Sequence, residues 1–257
     1  MRTAFLSFIF AIAFAGTGLA DKLQEPFDRT VDVRPGSPVS IENVNGRITV
    51  TSWDQPRVRI HAMKKADARE VLDKIGIDVR IADGVSVVTR MPRRNDSGFF
   101  DFLFGNDGNA SVEYDVTVPR SADLKVDNTN GAISVSDVSG RIELGTTNGR
   151  IEAVRCSGAV NASTTNGAIR AELLQVSAGK GMELETTNGS ITLTVPPSFA
   201  ATLEAETTNG SIRTDLPVTT RSFSRRELRG TLNGGGPNLS LHTTNGSIEI
   251  RSSGVEK

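Results

Sequence analysis

Apolar and polar residues alternate through most of this chain, for instance over residues 112–118 and 191–195. A period of two is typical of half-buried β-strands. One stretch, "ADAREVLDKI" at 66–75, instead places Ala68, Leu72 and Ile75 at helical spacing, which indicates a short amphipathic helix. The pattern therefore predicts an all-β protein with one short helix in its N-terminal part.

A four-residue motif recurs along the alternating segments. Five copies of Thr-Thr-Asn-Gly begin at residues 146, 164, 186, 207 and 243, with variants at 43–46 and 128–131. From Asn130 onward the motif asparagines are 18, 18, 22, 21 and 36 residues apart. Periods near 20 are typical of solenoids. Since most intervals hold two strand-like stretches, the spacing predicts a single-stranded β-solenoid (β-helix) with about 18–22 residues per coil.

The register of the motif indicates how the coils stack. An apolar or small residue lies four positions before each asparagine, and an isoleucine follows three positions after it, so the first threonine should point inward. The asparagine is expected to turn inward at the corner, and the glycine to supply positive φ. Asparagines stacked about 4.8 Å apart can pass amide hydrogen bonds between coils. The predicted structural ladder comprises Asn45, Asn130, Asn148, Asn166, Asn188, Asn209 and Asn245.

A second geometry fits the same residues. Asn-Gly is also the strongest signal for a two-residue β-hairpin, and pairing Thr146 with Ile151 gives a valid hairpin register. A meander of hairpins is therefore the alternative. It does not explain the repeated Thr-Thr before the Asn-Gly, which favours the solenoid.

The N-terminal residues indicate export. Arg2 precedes an apolar run, Ala4–Ala15, that is too short to span a bilayer, and small residues follow at Gly18 and Ala20. Residues 1–20 are therefore predicted to be a signal peptide, with no transmembrane anchor after its cleavage. We expect a β-rich part with the short helix and a Phe-rich insertion at 21–110, continuous with a repeat solenoid at 111–257. The predicted location is periplasmic or extracellular, at the cell surface.

The net charge and the cysteine content limit the expected partners and the expected disulfides. The chain has 29 basic and 30 acidic side chains, a formal net charge of −1, so nucleic acid is not an expected partner. Its one cysteine, Cys156, allows no intramolecular disulfide and is expected to be a small buried residue.

Three segments resemble the bacterial putative-adhesin domain family, a secreted family of repeated β-strands. They are "SIENVNGRITVTSWDQPRVRIHA", "VEYDVTVPRSADLKVDNTNGAISV" and "GTLNGGGPNLSLHTTNGSIEI". The resemblance covers most of the predicted mature chain. It implies a β-solenoid of the cell envelope and assigns no catalytic residue.

Residues 93–109 interrupt the repeats with large apolar side chains. These are Phe99, Phe100, Phe102, Leu103 and Phe104. They are expected either to cap an open end of the solenoid or to form an apolar tip for a partner or a membrane, beside Arg90, Arg93 and Arg94.

A cationic segment, "RSFSRRELRG", lies in the longest interval between motifs. Arg221, Arg225, Arg226 and Arg229 surround Phe223. This is either an ordinary solvated loop or a patch for an anionic glycan, lipid headgroup or acidic protein.

Catalytic chemistry has little support in the sequence. Asp127, Asp137 and Glu143 could meet across adjacent coils, but outward carboxylates on strands are usually solvated. The two histidines, His61 and His242, lack metal-ligand spacing. We therefore predict no catalytic residue, no metal site and no cofactor.

The sequence favours a non-enzymatic β-solenoid of the cell envelope that acts as an adhesin, a binding protein or a scaffold. Its partner would be an envelope protein, a glycan or a membrane surface. The alternatives are an envelope-stress or signalling module that docks to a membrane partner, and a polysaccharide-active β-helix enzyme.

Overall fold

The structure, a computed structural model, describes residues 22–92, 110–175 and 181–254. The predicted signal peptide, residues 1–20, and the Phe-rich segment, Phe99–Phe104, lie outside these ranges. Within the described ranges the chain forms 21 strands and one helix, α1, Arg69–Leu72. In chain order the strands are β1 Leu23–Asp32, β2 Val39–Asn45, β3 Ile48–Trp53, β4 Arg57–Ala66, β5 Gly76–Ile81, β6 Val85–Arg90, β7 Ser111–Pro119, β8 Leu124–Asn130, β9 Ile133–Ser136, β10 Ile142–Asn148, β11 Ile151–Ser157, β12 Val160–Asn166, β13 Ile169–Gln175, β14 Met182–Asn188, β15 Ile191–Val195, β16 Ala201–Asn209, β17 Ile212–Thr214, β18 Val218–Phe223, β19 Glu227–Leu232, β20 Asn238–Asn245 and β21 Ile248–Ser252.

Each copy of the motif joins two sheets. The strand that ends at the motif asparagine lies in an 11-stranded sheet, and the strand that starts at the following isoleucine lies in a 10-stranded sheet. We call these the motif sheet and the isoleucine sheet. Strand β10 pairs in parallel with β8 and β12, not with β11. The predicted solenoid is therefore confirmed, and the hairpin meander is wrong.

The coils do not stack in sequence order at either end. In the motif sheet, β20 lies between β14 and β16, and in the isoleucine sheet, β21 lies between β15 and β17. After β17 the chain forms the antiparallel pair β18–β19. It then returns into the stack, so that its C-terminal coil, β20 and β21, lies between the coil of β14 and β15 and the coil of β16 and β17. This detour accounts for the 36-residue interval. At the other end, β6 and β7 stack outside β2 and β3.

Antiparallel strands cover most of the ends of the stack. The motif sheet ends in β5, antiparallel to β6, and in β18, antiparallel to β19. The isoleucine sheet ends in β1, antiparallel to β4, and in the three-residue strand β17. Short, charged or bulged edges of this kind discourage pairing with other chains.

One hydrophobic core runs through the described stack, from Val31 to Ile250. Its most regular row consists of the isoleucines that follow the motif: Ile48, Ile133, Ile151, Ile169, Ile191, Ile212 and Ile248, each at most 6% exposed. The predicted helix is present but short, and its Leu72 is fully buried.

The motif glycines are required mainly by the close approach of neighbouring coils. A Cβ on Gly167 would overlap the backbone carbonyl of Gly149, and a Cβ on Gly189 would overlap that of Gly167. Gly46, Gly131 and Gly246 have positive φ, whereas the other four motif glycines lie outside the left-handed region. The expectation that every corner needs positive φ is therefore wrong.

Candidate binding surface

The motif asparagines form an unbroken chain of side-chain hydrogen bonds across the corners. Except in Asn45, whose Nδ2 donates to the Ala110 carbonyl, each Nδ2 donates to the Oδ1 of the asparagine in the neighbouring coil over 2.8–2.9 Å. The spatial order is Asn45, Asn130, Asn148, Asn166, Asn188, Asn245 and Asn209. The asparagines from Asn148 onward are exposed, so the expected inward orientation is wrong. That the ladder stabilises the fold stays a prediction, which is taken up in the Discussion.

The first threonine of each full motif copy is buried near the same corner. Thr146, Thr164, Thr186, Thr207 and Thr243 are at most 8% exposed. Each Oγ1 donates to the carbonyl of a motif glycine in the neighbouring coil, over 2.8–3.3 Å. Asn43 and Asn128 occupy this row in the two variant motifs, and their Oδ1 atoms are buried without a hydrogen-bond partner among the described residues.

The outward face of the motif sheet is acidic. Its parallel motif strands carry seven carboxylates: Glu42, Asp127, Glu143, Glu183, Glu185, Glu204 and Glu206. Asp127 pairs with Lys125, and Glu204 pairs with Arg229. The other five form no ion pair with any residue that the structure describes. Sequence reasoning missed these glutamates as a group, although each lies three or five positions before a motif asparagine.

A shallow groove of about 380 Å³ crosses this face. It is lined by four carboxylates, Asp127, Glu143, Glu183 and Glu185, by one cationic residue, Lys125, and by small and neutral residues such as Gly145. Strand pairing also brings Glu42 directly beside Asp127. Adjacent like charges on one face of a sheet are unfavourable for folding.

The isoleucine sheet differs, because the glutamates of its repeat strands β11, β13 and β21 are paired with arginines. Ion pairs between residues two positions apart join Arg150 to Glu152, Arg170 to Glu172 and Arg251 to Glu249, over 3.7, 3.8 and 2.7 Å. A further pair spans adjacent coils: Arg155 donates two hydrogen bonds to Asp137, over 2.9 and 2.6 Å. These bonds lower the pKa of Asp137.

The acidic residues considered for catalysis are not brought together. Asp127 and Glu143 lie on the motif sheet, whereas Asp137 follows β9 of the isoleucine sheet. His61 lies beside Asp28, and His242 lies on β20 between Glu185 and Glu206. Among the described residues, no group of three or more histidine, cysteine, aspartate or glutamate side chains could hold a metal ion.

Cys156 is fully buried, as expected. Burial raises the pKa of its thiol to about 11, which keeps the thiol protonated at neutral pH.

The predicted cationic residues lie on the pair β18–β19. Arg229 forms ion pairs with Glu204 and Glu227, over 3.0 and 2.9 Å. Arg221, Arg225 and Arg226 are exposed and form no ion pair within the described ranges. The other predicted partner-binding residues, Phe99–Phe104, lie outside those ranges, so both interpretations of that segment stay predictions.

No helix in the described part of the chain has the length and hydropathy needed to cross a bilayer.

Comparison with solved structures found similar chains, with different degrees of superposition. A putative cell adhesion protein from Clostridium sporogenes superposes with a TM-score of 0.51 at 10% identity, covering 89% of this chain and 100% of that one. A putative adhesin from Bacteroides fragilis has a TM-score of 0.34 at 13% identity, with coverage of 89% and 97%. A putative lipid binding protein from Parabacteroides distasonis has a TM-score of 0.31 at 13% identity, with coverage of 90% and 97%.

No curated protein matches this chain. The resemblance to a β-strand-repeat adhesin-domain family is confirmed by the solenoid and by a family model that matches residues 39–251. The chain belongs to the Toastrack DUF4097 family.

Proposed function

We propose that this chain is an exported, non-enzymatic β-solenoid of the bacterial cell envelope, and that it binds its partner through the outward face of the motif sheet. An adhesin-like role agrees with the putative cell adhesion protein that shares the fold. The predicted signal peptide supports export.

The observation that carries the proposal is the difference between the two sheets. Glu152, Glu172 and Glu249 of the isoleucine sheet are each paired with an arginine. In contrast, Glu143, Glu183 and Glu185 share one groove with no ion-pair partner among the described residues. Unpaired like charges give no stability to the fold, and a ligand of opposite charge relieves their repulsion.

The partner that fits this face is an extended cationic chain, such as a lysine-rich segment of an envelope protein. Carboxylates recur along the stack on β8, β10, β14 and β16, with none on β12 or β20. Since adjacent coils are about 4.8 Å apart, this row of charges suits a linear ligand. The groove is open and polar, so the complex would depend on charge and on contact length more than on enclosure.

A decalysine peptide is a suitable probe, with binding measured by calorimetry at two salt concentrations. The test variant combines Glu143→Gln, Glu183→Gln and Glu185→Gln. The control combines Glu152→Gln, Glu172→Gln and Glu249→Gln, which removes the same charge from the isoleucine sheet.

We expect the test variant to weaken binding about tenfold, since three exposed charge contacts each contribute about 0.2–1 kcal/mol. The control should change affinity by less than about threefold, and added salt should weaken wild-type binding. Equal losses in both variants would show that only net charge matters, and no binding by the wild type would overturn the proposal.

A further inference from the structure

The solenoid ends in a fixed cationic turn. We call β18, β19 and the connecting residues Ser224–Arg226 the end hairpin. Its turn is hydrogen-bonded to the coil of β16 and β17, which lies at the end of the stack. The Thr207 N–H donates to the Arg226 carbonyl over 2.9 Å, and the Ile212 N–H donates to the Arg225 carbonyl over 3.0 Å. Inside the stack, the N–H of the isoleucine at this motif position donates to a carbonyl of the next coil, as the Ile191 N–H does to the Ser247 carbonyl. The turn therefore takes the place of a further coil.

The turn is also held by its own hydrogen bonds. Ser224 Oγ accepts from the backbone N–H groups of Arg226 and Glu227, over 3.2 and 3.0 Å, and the Ser224 N–H donates to the Glu227 carbonyl over 2.8 Å. The backbone that carries Arg225 and Arg226 is consequently well defined before any partner binds.

The side chains of the end hairpin combine free positive charge with an exposed aromatic ring. Arg221, Arg225 and Arg226 have no ion-pair partner among the described residues, and Phe223 is 69% exposed. Arg221 also protects the edge strand β18 from pairing with another chain, since it lies where the β18–β19 register shifts, between Thr220 and Ser222. That role does not account for an exposed phenylalanine among three unpaired guanidinium groups.

We propose that the end hairpin docks on an anionic phospholipid surface. The guanidinium groups would pair with headgroup phosphates, whose geometry they match, and Phe223 would enter the boundary between headgroups and acyl chains. The negative charge of the phospholipid surface complements the positive charge of the end hairpin. These residues are not part of the groove on the motif sheet, and binding to a fluid layer of phosphates does not need an enclosed site.

This placement would orient the molecule. The end hairpin lies at one end of the motif sheet, so docking through it would leave the groove formed by Asp127, Glu143 and Glu185 clear of the bilayer. The inference stands independently of the proposed cationic partner, because it concerns different residues and the opposite charge.

Vesicle co-sedimentation of the full chain tests the proposal. Vesicles of phosphatidylcholine alone are compared with vesicles that contain about 30% phosphatidylglycerol, an anionic phospholipid. The test variant combines Arg221→Gln, Arg225→Gln and Arg226→Gln. The control combines Arg150→Gln, Arg170→Gln and Arg251→Gln, which removes the same charge from the isoleucine sheet.

We expect binding to the anionic vesicles alone, reduced by salt. Each basic residue near an anionic leaflet raises partitioning about fivefold, so the test variant should lose about a hundredfold and the control much less. Phe223→Ser should weaken binding without lowering the melting temperature, because the ring is exposed. Equal binding of both arginine variants, or no sedimentation of the wild type, overturns the proposal. So does an unaffected Phe223→Ser variant. Tighter binding to polyglutamate than to the anionic vesicles at equal charge also overturns it, because that would indicate a soluble acidic partner.

Discussion

Replacing one buried threonine tests whether the inner row of the motif holds adjacent coils together. Thr186 is 1% exposed, lies beside Thr164 and Thr243, and donates to the Gly167 carbonyl over 2.9 Å. Thr186→Val keeps the shape of the side chain but removes the donor. The next residue, Thr187, is exposed on the same strand, so Thr187→Val is the matched control.

The expected cost follows from two opposing contributions. Leaving the Gly167 carbonyl without this donor costs about 1–3 kcal/mol. Burying a methyl group in place of a hydroxyl returns up to about 0.8 kcal/mol. The net loss for Thr186→Val is therefore about 0.2–3 kcal/mol in the free energy of unfolding, with a central value of about 1–2 kcal/mol. Thr187→Val should stay within about 0.5 kcal/mol of the wild type, as surface substitutions usually do.

Urea unfolding provides the measurement, followed by circular dichroism and by the fluorescence of Trp53, the one tryptophan in the sequence. Coincident transitions for the two probes would justify a two-state analysis. In thermal melts a loss of about 1–2 kcal/mol corresponds to a decrease of about 2–8 °C in the melting temperature. If both valine variants unfold at the wild-type urea concentration, the buried threonine row does not stabilise the stack.

The other two predictions concern the asparagines. Asn166 donates a hydrogen bond to Asn148 and accepts one from Asn188, whereas Asn209 only donates one, to Asn245. Asn166→Ala should therefore lower the free energy of unfolding about twice as much as Asn209→Ala, by up to about 2 kcal/mol. Urea midpoints would measure this, and an equal or larger loss for Asn209→Ala would contradict the ladder as a source of stability. Asn128→Thr restores the residue that most coils have and removes a buried Oδ1 without a described partner, so its melting temperature should equal or exceed that of the wild type, while Asn128→Ala should melt lower. A clear decrease for Asn128→Thr would show that Asn128 makes a contribution that threonine cannot replace.

Local sequence was sufficient for the strands, the coils and the inward rows. The alternation of apolar residues identifies which side chains reach the core, because successive residues of a strand point to opposite faces. The spacing of the motif identifies each coil, because equivalent corners must recur once per turn of a solenoid. Both signals act within about 20 residues, and a single sequence displays them directly.

The orientation of the motif asparagines and the reason for its glycines depend on neighbouring coils. Asn148 is exposed at a corner where the sequence predicted an inward turn. Gly167 is needed because Gly149 of the next coil lies too close for a Cβ, a contact between residues that the sequence alone does not place in space.

Coil order and charge pairing were likewise decided by the tertiary structure. Strand β20 pairs in parallel with both β14 and β16, and all three end in Thr-Thr-Asn, so the motif does not specify which coil comes last. The sequence also shows that Glu143 and Glu152 point outward, but not that only Glu152 has an arginine partner. The repetition of the motif explains why the sequence determined some features and the tertiary structure others. Coils with the same motif can stack on one another, but their order and the neighbours of each charged side chain are fixed only when the whole stack assembles.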